Sequence, residues 1–229
     1  MNAILGFAQV LREKPDILKN DKGRRYAENI ITSGNRLLNM INDLLDLAKT
    51  RAGKMELHVE KTSVPQLCKA VVASFSLLTK KKKIKVKLLA DDDIPILITD
   101  AGKVQQILYN FLSNAVKFTP ERGRIEIRAQ MANGNTVRIA VTDTGCGIAG
   151  PDREKIFEKF RQADGSITRE STGSGLGLAI SKELASMLAG DIGMKSEPGK
   201  GSTFWLDIPV TIAKEKIQTV ENAKLAEKK

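Results

Sequence analysis

Apolar residues recur at helical spacing in two stretches at the start of the chain. From the first residues of the chain they predict a helix, which ends near Lys14 because Pro15 disfavours helix in the residue before it. A second predicted helix spans residues 22–51. Its apolar side chains form a seam at heptad spacing and a parallel stripe: Ile30, Ile31, Leu37, Leu38, Ile41, Leu44, Leu45 and Ala48. The pattern predicts a helical hairpin that forms half of a dimeric four-helix bundle.

The two predicted helices differ in length. The second has about 30 residues and the first about 13, so roughly 25 Å of the second helix has no partner in the chain. The first also begins at Met1 without a residue that caps a helix. We therefore expect a hairpin truncated at its N-terminus, with residues 37–48 facing a segment that would precede Met1. The alternative is that the second helix packs on the domain that follows.

Beyond a predicted linker at residues 51–54, strands alternate with helices. The predicted strands span residues 55–59, 84–89, 95–98, 124–129, 137–143, 192–196 and 202–208, and the predicted helices residues 64–80, 100–117 and 176–188. This order predicts an α+β fold, in which the hairpin precedes a two-layer α/β sandwich. The predicted domains are residues 1–52, residues 53–212, and a charged tail or linker at 213–229.

Composition and charge exclude several classes of protein and of binding partner. Of 229 residues 41% are apolar, which suffices for a packed core, and neither a membrane span nor a signal peptide is predicted. Cys68 and Cys146 match no metal-ligand spacing and favour reduced thiols in the cytoplasm. Much of the net charge of +10 lies in the lysine-rich residues 80–87, which we interpret as a solvated face. An aromatic content of 4% argues against nucleic-acid binding by base stacking.

Two asparagines and a lysine form the first candidate site. Asn110 and Asn114 are four residues apart on a predicted helix, so their amides lie on one face. Amide oxygens suit Mg²⁺, which prefers a few protein oxygens together with phosphate and water. Lys117 follows on the same side and can meet a phosphate. Taken alone, two such asparagines are also typical of a solvated helix surface.

Asp143 leads from a predicted strand into Gly145 and Gly147, which let a flat ligand approach the backbone. An ionised carboxylate only accepts hydrogen bonds, so it suits the exocyclic amine of adenine and repels the carbonyl of guanine. The stretch therefore favours ATP over GTP. The alternative is an Asp-Gly turn without a ligand.

The third candidate site is a glycine cluster that precedes a predicted helix, whose free N–H groups can hold phosphate. Gly173, Gly175 and Gly177 do not match the dinucleotide-binding spacing, and the chain has no Walker loop. Residues 161–174 are polar with almost no apolar anchor, as in a mobile lid, and Arg161 or Arg169 could neutralise charge on a transferring phosphoryl group. A flexible glycine turn is the alternative.

Four clusters in one order resemble the sequence boxes of sensor histidine kinases. Residues 110–118, 143–147, 157–162 and 173–178 resemble the N, G1, F and G2 boxes of this family, including its hybrid-type members. The stretch Gly201-Ser202-Thr203-Phe204 resembles the final Gly-Ser/Thr strand of the family, and the resemblance covers about residues 1–210. It implies the Bergerat (GHKL) sandwich shared with gyrase-type and Hsp90-type ATPases, preceded by the dimerisation and phosphoacceptor hairpin.

The resemblance also implies roles for individual residues. Asn110 and Asn114 would bind Mg²⁺, and Asp143 would bind adenine with support from Thr203. The implied catalytic residues are Asn110, Lys117 and Arg161. The further implied cofactor contacts are Asn114, Lys117, Phe118, Gly145, Gly147, Ile148, Phe160, Gly173, Gly175, Leu176 and Gly177. Thr172 and Ser174 stand where many relatives have Gly and Thr.

Asn110 bears on the reaction class. In the related ATPases a Glu stands at this position and activates water, whereas an amide cannot accept that proton, so the resemblance implies phosphoryl transfer to a side chain. The single histidine, His58, lies in predicted strand 55–59 and outside the family's acceptor sequence. Because Met1-Asn2 match the end of that sequence, we expect the acceptor histidine just before Met1. The chain alone should not autophosphorylate.

The implied cofactors are ATP and Mg²⁺. The implied partners are a response-regulator receiver domain and a second copy of the chain, which binds through the hairpin. The implied location is the cytoplasm, whether or not the parent protein is membrane-anchored. No contact with nucleic acid or membrane is predicted. An alternative function is that of an ATP-binding scaffold or degenerate kinase module without transfer activity.

Overall fold

A computed structural model describes residues 2–13, 21–51, 55–153, 155–158 and 175–212. Its contacts divide the chain into two compact units, Met1–Ala48 and Lys49–Lys229. Within the described ranges, no helix combines the length and the apolar content that crossing a membrane requires.

The first unit contains helix α1 (Asn2–Glu13) and all but the last turn of helix α2 (Asp21–Arg51), which confirms both predicted helices. The small residues Ala8 and Ala27 are buried. Five large apolar side chains of α2 stay exposed over 41–51% of their surface, whereas Ile31 and Leu38 are half-buried: the five are Ile30, Leu37, Ile41, Leu44 and Leu45. The apolar seam of α2 is therefore an uncovered face.

The second unit is built on a five-stranded sheet. In chain order its strands are β1 (Glu60–Thr62), β2 (Lys85–Ala90), β3 (Leu97–Thr99), β4 (Arg124–Asn133), β5 (Thr136–Asp143), β6 (Asp191–Glu197) and β7 (Gly201–Pro209). The main sheet has the order β2-β4-β5-β7-β6, and β1 and β3 form a separate antiparallel pair. In the main sheet β2 and β4 are parallel, whereas the other neighbouring pairs are antiparallel.

Helices cover one face of this sheet. They are α3 (Val64–Ser74), α4 (Ser76–Lys81), α5 (Ala101–Phe118) and α6 (Gly177–Met187), with short 3₁₀ turns at Gly150–Asp152 and Lys155–Phe157. Helix α5 contacts both α3 and α6 and packs on β5 and β7. The arrangement confirms the predicted α+β fold with its two-layer α/β sandwich.

The core lies between α5 and the sheet. Alternate residues of β4, β5 and β7 are buried, including Ile127, Ile139 and Leu206, while their neighbours along each strand are more exposed. The buried stripe of α5 repeats at helical spacing: Val104, Ile107, Leu108, Phe111, Leu112 and Ala115. This packing fixes which side of α5 faces the core, and thereby which side carries its polar residues.

The predicted strand at residues 55–59 is wrong. Pairing with β3 begins only at Glu60, and the described residues include no strand beside the preceding segment. The backbone N–H of His58 donates instead to Oδ2 of Asp100 at 2.8 Å. Alternating apolar residues predict an extended chain but do not supply the neighbouring strand that a ladder needs.

The predicted helix over residues 64–80 is broken. Phe75 separates α3 from α4, with backbone angles φ −100° and ψ 2°, and its N–H donates to the carbonyl of Val72. The buried Phe75 ring packs on Tyr109 of α5, with the ring centroids 4.6 Å apart. The break therefore coincides with an aromatic anchor, which helical periodicity alone does not show.

Candidate functional site

Helix α5 carries four of the predicted site residues on a rigid support: Asn110, Asn114, Lys117 and Phe118. The buried Asp100 caps its N-terminus, because its carboxylate accepts the N–H of Lys103 at 3.0 Å. The buried stripe leaves Asn110 and Asn114 half-buried, one turn apart. From Asn110 to Phe118 the helix rises about 12 Å. A different glycine-containing segment contacts each end of this stretch.

At the first end, Asn110 contacts the beginning of α6. Its Nδ2 donates to the hydroxyl of the buried Ser181 at 2.8 Å. Gly177, the first residue of α6, lies so close that a β-carbon there would collide with the Asn110 amide. Glycine at 177 therefore allows the free N–H groups of the α6 N-terminus to lie beside Asn110. A helix N-terminus of this kind favours phosphate.

At the second end, Phe118 contacts the loop that follows β5. A β-carbon on Gly145 would lie 2.8 Å from the carbonyl oxygen of Phe118, so only glycine fits this approach. The N–H of Gly145 donates to Oδ1 of Asp143 at 2.7 Å. The carboxylate of Asp143 is thus held where β5 ends and the loop begins.

Asp143 is a buried acceptor. It is 6% exposed, and this burial raises the pKa of its carboxyl, while hydrogen bonds from the backbone N–H groups of Gly145 and Ser202 act in the opposite direction. A carboxylate in such a setting selects strongly for a ligand that donates a hydrogen bond. The exocyclic amine of adenine is a donor of this kind.

Lys117 and Phe118 form the last turn of α5. Both are exposed, and Nζ of Lys117 lies 4.8 Å from the centre of the Phe118 ring. Lys117 thus brings a positive charge to the part of α5 that lies between the Asn114 turn and the Gly145 loop. Together with the Asp143 carboxylate and the α6 N-terminus, these donors and acceptors fit the parts of Mg-ATP: adenine, phosphates and a hard cation.

Comparison with known proteins yields two family matches. Residues 1–53 match the His Kinase A (phospho-acceptor) domain, and residues 99–212 match the family of histidine kinase-, DNA gyrase B-, and HSP90-like ATPases. The chain belongs to the sensor histidine kinases. Its second unit is the GHKL ATP-binding fold of this family, and its first unit is the phosphoacceptor helical region of a two-component signalling protein.

Individual relatives of this histidine kinase chain are much longer. The non-motile and phage-resistance protein of Caulobacter vibrioides is 36% identical over 224 residues, which are 95% of this chain and 26% of that relative. The autoinducer 2 sensor kinase/phosphatase LuxQ of Vibrio vulnificus is 38% identical over 218 residues, covering 92% and 25%. The chain therefore spans about a quarter of the length of these curated relatives.

A solved relative agrees in fold. Full-length ShkA, crystallised in complex with AMPPNP, superposes with a TM-score of 0.76 at 35% identity, over 91% of this chain and 42% of that chain. A protein that shares this fold has thus been crystallised with AMPPNP.

The predicted support of Asp143 by Thr203 is wrong, because Thr203 lies on the opposite face of the sheet. Its hydroxyl is 3.0 Å from that of Thr142, and side chains alternate between the two faces along each strand. The residue that reaches the Asp143 face is Ser202, whose backbone N–H donates to the carboxylate. The Gly-Ser strand of this histidine kinase contacts Asp143 one residue earlier than predicted.

The structure also adds a residue that sequence reasoning missed. The buried hydroxyl of Ser196 accepts the N–H of Ile148 at 2.8 Å and lies 2.9 Å from the hydroxyl of Ser202. Gly147 has φ of 69° and packs on the carbonyl of Glu197. The loop after Asp143 is therefore attached to the β6–β7 hairpin. The one available signal was a serine at an inward position of a predicted strand.

The other predicted site residues fall into two groups. Gly175 has φ of 69°, a conformation that favours glycine, and Leu176 is fully buried, so that only its backbone could reach a ligand. Phe160, Arg161 and Gly173 lie outside the described residues, as does most of the predicted lid.

Proposed function

We propose that the second unit binds Mg-ATP and transfers its γ-phosphoryl group to a histidine of an acceptor helix, from which it passes to an aspartate of a response regulator. One observation supports this proposal above the others. A single polar face of α5 contacts both glycine segments. The α6 N-terminus lies at Asn110, and the Gly145 loop with Asp143 lies at Phe118. Family membership supports the same reading.

Each group has a role that its environment supports. The buried Asp143 would accept the adenine amine, and the amides of Asn110 and Asn114 would hold Mg²⁺ through their oxygens. Ser181 accepts the Nδ2 hydrogen of Asn110, which leaves Oδ1 free of that bond for the cation. When bound, Mg²⁺ neutralises charge on the phosphates. Lys117, and Arg161 from the predicted lid, would meet phosphate oxygens as further cations.

The transfer needs a nucleophile, and Asn110 does not activate water. In the proposed step the imidazole nitrogen forms a bond to the γ-phosphorus, the bond from that phosphorus to the β–γ bridging oxygen breaks, and ADP leaves with the electron pair. A neutral imidazole is nucleophilic near neutral pH without a strong base. The amide side chain of Asn110 has no basic site for a proton from water, which disfavours hydrolysis.

We infer that His58 is not the acceptor. It is an exposed residue beyond α2, in the extended segment before β1, and its backbone N–H is bound to Asp100. The 229 residues contain no other histidine, so the acceptor imidazole would come from a helix that this sequence does not include. The chain alone is expected not to label itself.

The uncovered apolar face of α2 supports a homodimer through the hairpin. Five large apolar side chains that are 41–51% exposed form a seam at the spacing used by four-helix bundles. A hairpin of this kind that carries the acceptor histidine would present the phosphohistidine to the receiver domain of a response regulator. Because ATP supplies the phosphoryl group, we place this reaction in the cytoplasm.

A transfer assay tests the proposal. The chain is incubated with γ-labelled Mg-ATP, alone and with a separately purified hairpin that carries the acceptor histidine. We expect acid-labile label on the added hairpin and none on the chain alone. Measurable ATP binding without any transfer would instead favour the alternative of an ATP-binding scaffold, and acid-labile label on His58 would overturn the assignment of the acceptor.

A further inference from the structure

The lysine-rich run contains one side chain that differs from its neighbours. Lys80, Lys81 and Lys83 are exposed, whereas Lys82 is half-buried and turns toward α5. Its Nζ donates to three backbone carbonyls: Val116 at 2.7 Å, Lys117 at 3.1 Å and Thr119 at 2.7 Å. All three protons of the ammonium group therefore have an acceptor. The run is thus not uniformly a solvated face.

These carbonyls are the groups that a helix end leaves without partners. The last carbonyls of α5 have no N–H one turn further along, and they carry the negative end of the helix dipole. A positive charge at this end is favourable, and a charged donor makes stronger hydrogen bonds than a neutral one. Lys82 therefore caps α5 from another part of the chain, 34–37 residues earlier in sequence.

The capped turn is the one that contacts the nucleotide loop. It carries Lys117 and Phe118, and the carbonyl of Phe118 is the group that Gly145 approaches. The backbone of Lys82 also contributes, because its carbonyl accepts the N–H of Arg122 at 3.0 Å. Lys82 thereby holds both the end of α5 and the turn that follows it.

We propose that Lys82 is a positioning residue for nucleotide binding. By binding the carbonyls at the end of α5, it fixes Lys117 and the Phe118 carbonyl, and through the Phe118 contact it fixes the Gly145 loop that carries the adenine-binding side of the site. This inference rests on the proposed function for its effect on ATP, but its effect on the Gly145 loop can be measured without any nucleotide.

The test compares Lys82→Met with Lys81→Met, which removes the same charge from an exposed neighbour. Amide hydrogen exchange of residues 116–119 and 143–147 is measured without nucleotide, and the dissociation constant of Mg-ATP is measured by calorimetry well below the unfolding temperature. For Lys82→Met we expect faster exchange in both segments and a dissociation constant raised roughly tenfold. Lys81→Met should match the wild type in both readouts.

A merely structural role would lower the unfolding temperature without changing exchange at residues 143–147 or the affinity for ATP, and this result would overturn the inference. If Lys82→Met does not fold, Lys82→Arg replaces it. The planar guanidinium keeps the charge but cannot direct three donors as the ammonium does, so a smaller rise in the same two readouts is expected and its absence contradicts the inference. Should the wild type fail to bind ATP, the proposed function fails, and the exchange data alone decide the role of Lys82.

Discussion

Helices α2 and α5 carry similar patterns of apolar residues, yet only one of the two patterns is covered. On α5, Ile107, Leu108 and Leu112 are at most 2% exposed, because the sheet and two further helices lie against them. On α2, Leu37 and Leu44 are each 51% exposed. The comparison shows that periodicity predicts the helix and its apolar face, but not which surface covers that face.

The two helices also differ in what their remaining surface does. Because α5 is anchored along its buried stripe, it holds Asn110 beside Gly177 and Phe118 beside Gly145, with Asn114 one turn beyond Asn110. The second unit thus contains both the support and the site. The uncovered face of α2 needs a surface from elsewhere, for which we propose a second copy of the chain.

Leucine-to-alanine substitutions in α5 and in α2 should differ more in their effect on the free energy of unfolding than the other variants below. Leu112→Ala leaves a cavity in the core and should reduce the free energy of unfolding of the second unit by about 2–5 kcal/mol. Leu37→Ala should change it by less than about 0.5 kcal/mol. Urea unfolding followed by the fluorescence of Trp205, the single tryptophan and a residue of β7, reports this unit.

The dependence of self-association on protein concentration gives a second test of the difference between the two helices. If a second copy covers α2, Leu37→Ala should weaken self-association, which analytical ultracentrifugation measures over a series of protein concentrations. Equal losses of stability for Leu112→Ala and Leu37→Ala would contradict the contrast between a covered and an uncovered face.

Substitutions on the polar side of α5 should change the affinity for Mg-ATP rather than the free energy of unfolding. Asn114→Ala removes an amide oxygen proposed to hold Mg²⁺, and we expect the affinity for Mg-ATP to fall by about a hundredfold, or ~2.7 kcal/mol. Gln105→Ala removes an exposed amide from the same helix and serves as the control. Calorimetric titration with Mg-ATP measures both; equal affinities of the two variants would remove Asn114 from the site.

We expect the carboxyl group of Asp143 to reduce the free energy of unfolding at neutral pH. Burial raises the pKa of this carboxyl, so its ionisation is less favourable in the folded than in the unfolded chain. The stability of the wild type therefore decreases as pH rises from about 4, the ordinary value for Asp, through the raised pKa. Asp143→Asn cannot ionise and lacks this decrease.

At pH 7 we expect Asp143→Asn to be at least as stable as the wild type, with the difference vanishing at acidic pH. Thermal unfolding at several pH values measures this. Its affinity for ATP should nevertheless fall, because an amide cannot match a carboxylate as acceptor for the adenine amine. A variant that loses stability at pH 7 more than at pH 4 would show that the hydrogen bonds to the carboxylate outweigh its burial.

Substitutions on the face of the sheet opposite the helices should reduce stability nearly as little as substitutions on the exposed face of α2. There Arg138 donates to both carboxylate oxygens of Asp207, at 2.7 and 2.6 Å, and its guanidinium lies 4.8 Å from the Trp205 ring centre. Both side chains are partly exposed, so Arg138→Lys should cost less than about 1 kcal/mol. Thermal unfolding beside the exposed control Arg128→Lys measures it, and a larger loss would mark this face as part of the stabilising core.

Much of the fold follows from local patterns. The apolar stripes of α2 and α5 predict their helices, and the turn at Gly134, with φ of 35°, joins two strands as its composition predicts. The segment before β1 and the break at Phe75 did not follow, because each depends on a contact distant in sequence: His58 with Asp100, and Phe75 with Tyr109.

The site divides in the same way. Asn110, Asn114 and Asp143 were proposed because four clusters in one order together resemble one family, and the structure places each beside a predicted glycine segment or one helical turn away from it. Ser181 contacts Asn110, Ser196 contacts the loop after Asp143, and Lys82 contacts the end of α5. Each comes from another element, so only the folded chain brings these groups together. Thr203 was misassigned because a one-residue change in a strand reverses the face of the sheet.

The central claim is that the second unit holds a complete site for an adenine nucleotide. Its most direct test is calorimetric titration of the 229-residue chain, at neutral pH, with Mg-ATP and in a separate run with Mg-GTP. We expect saturable binding of Mg-ATP, and binding of Mg-GTP weaker by at least about tenfold, because the Asp143 carboxylate would face the guanine carbonyl. Equal binding of the two nucleotides, or no binding of Mg-ATP, would contradict it.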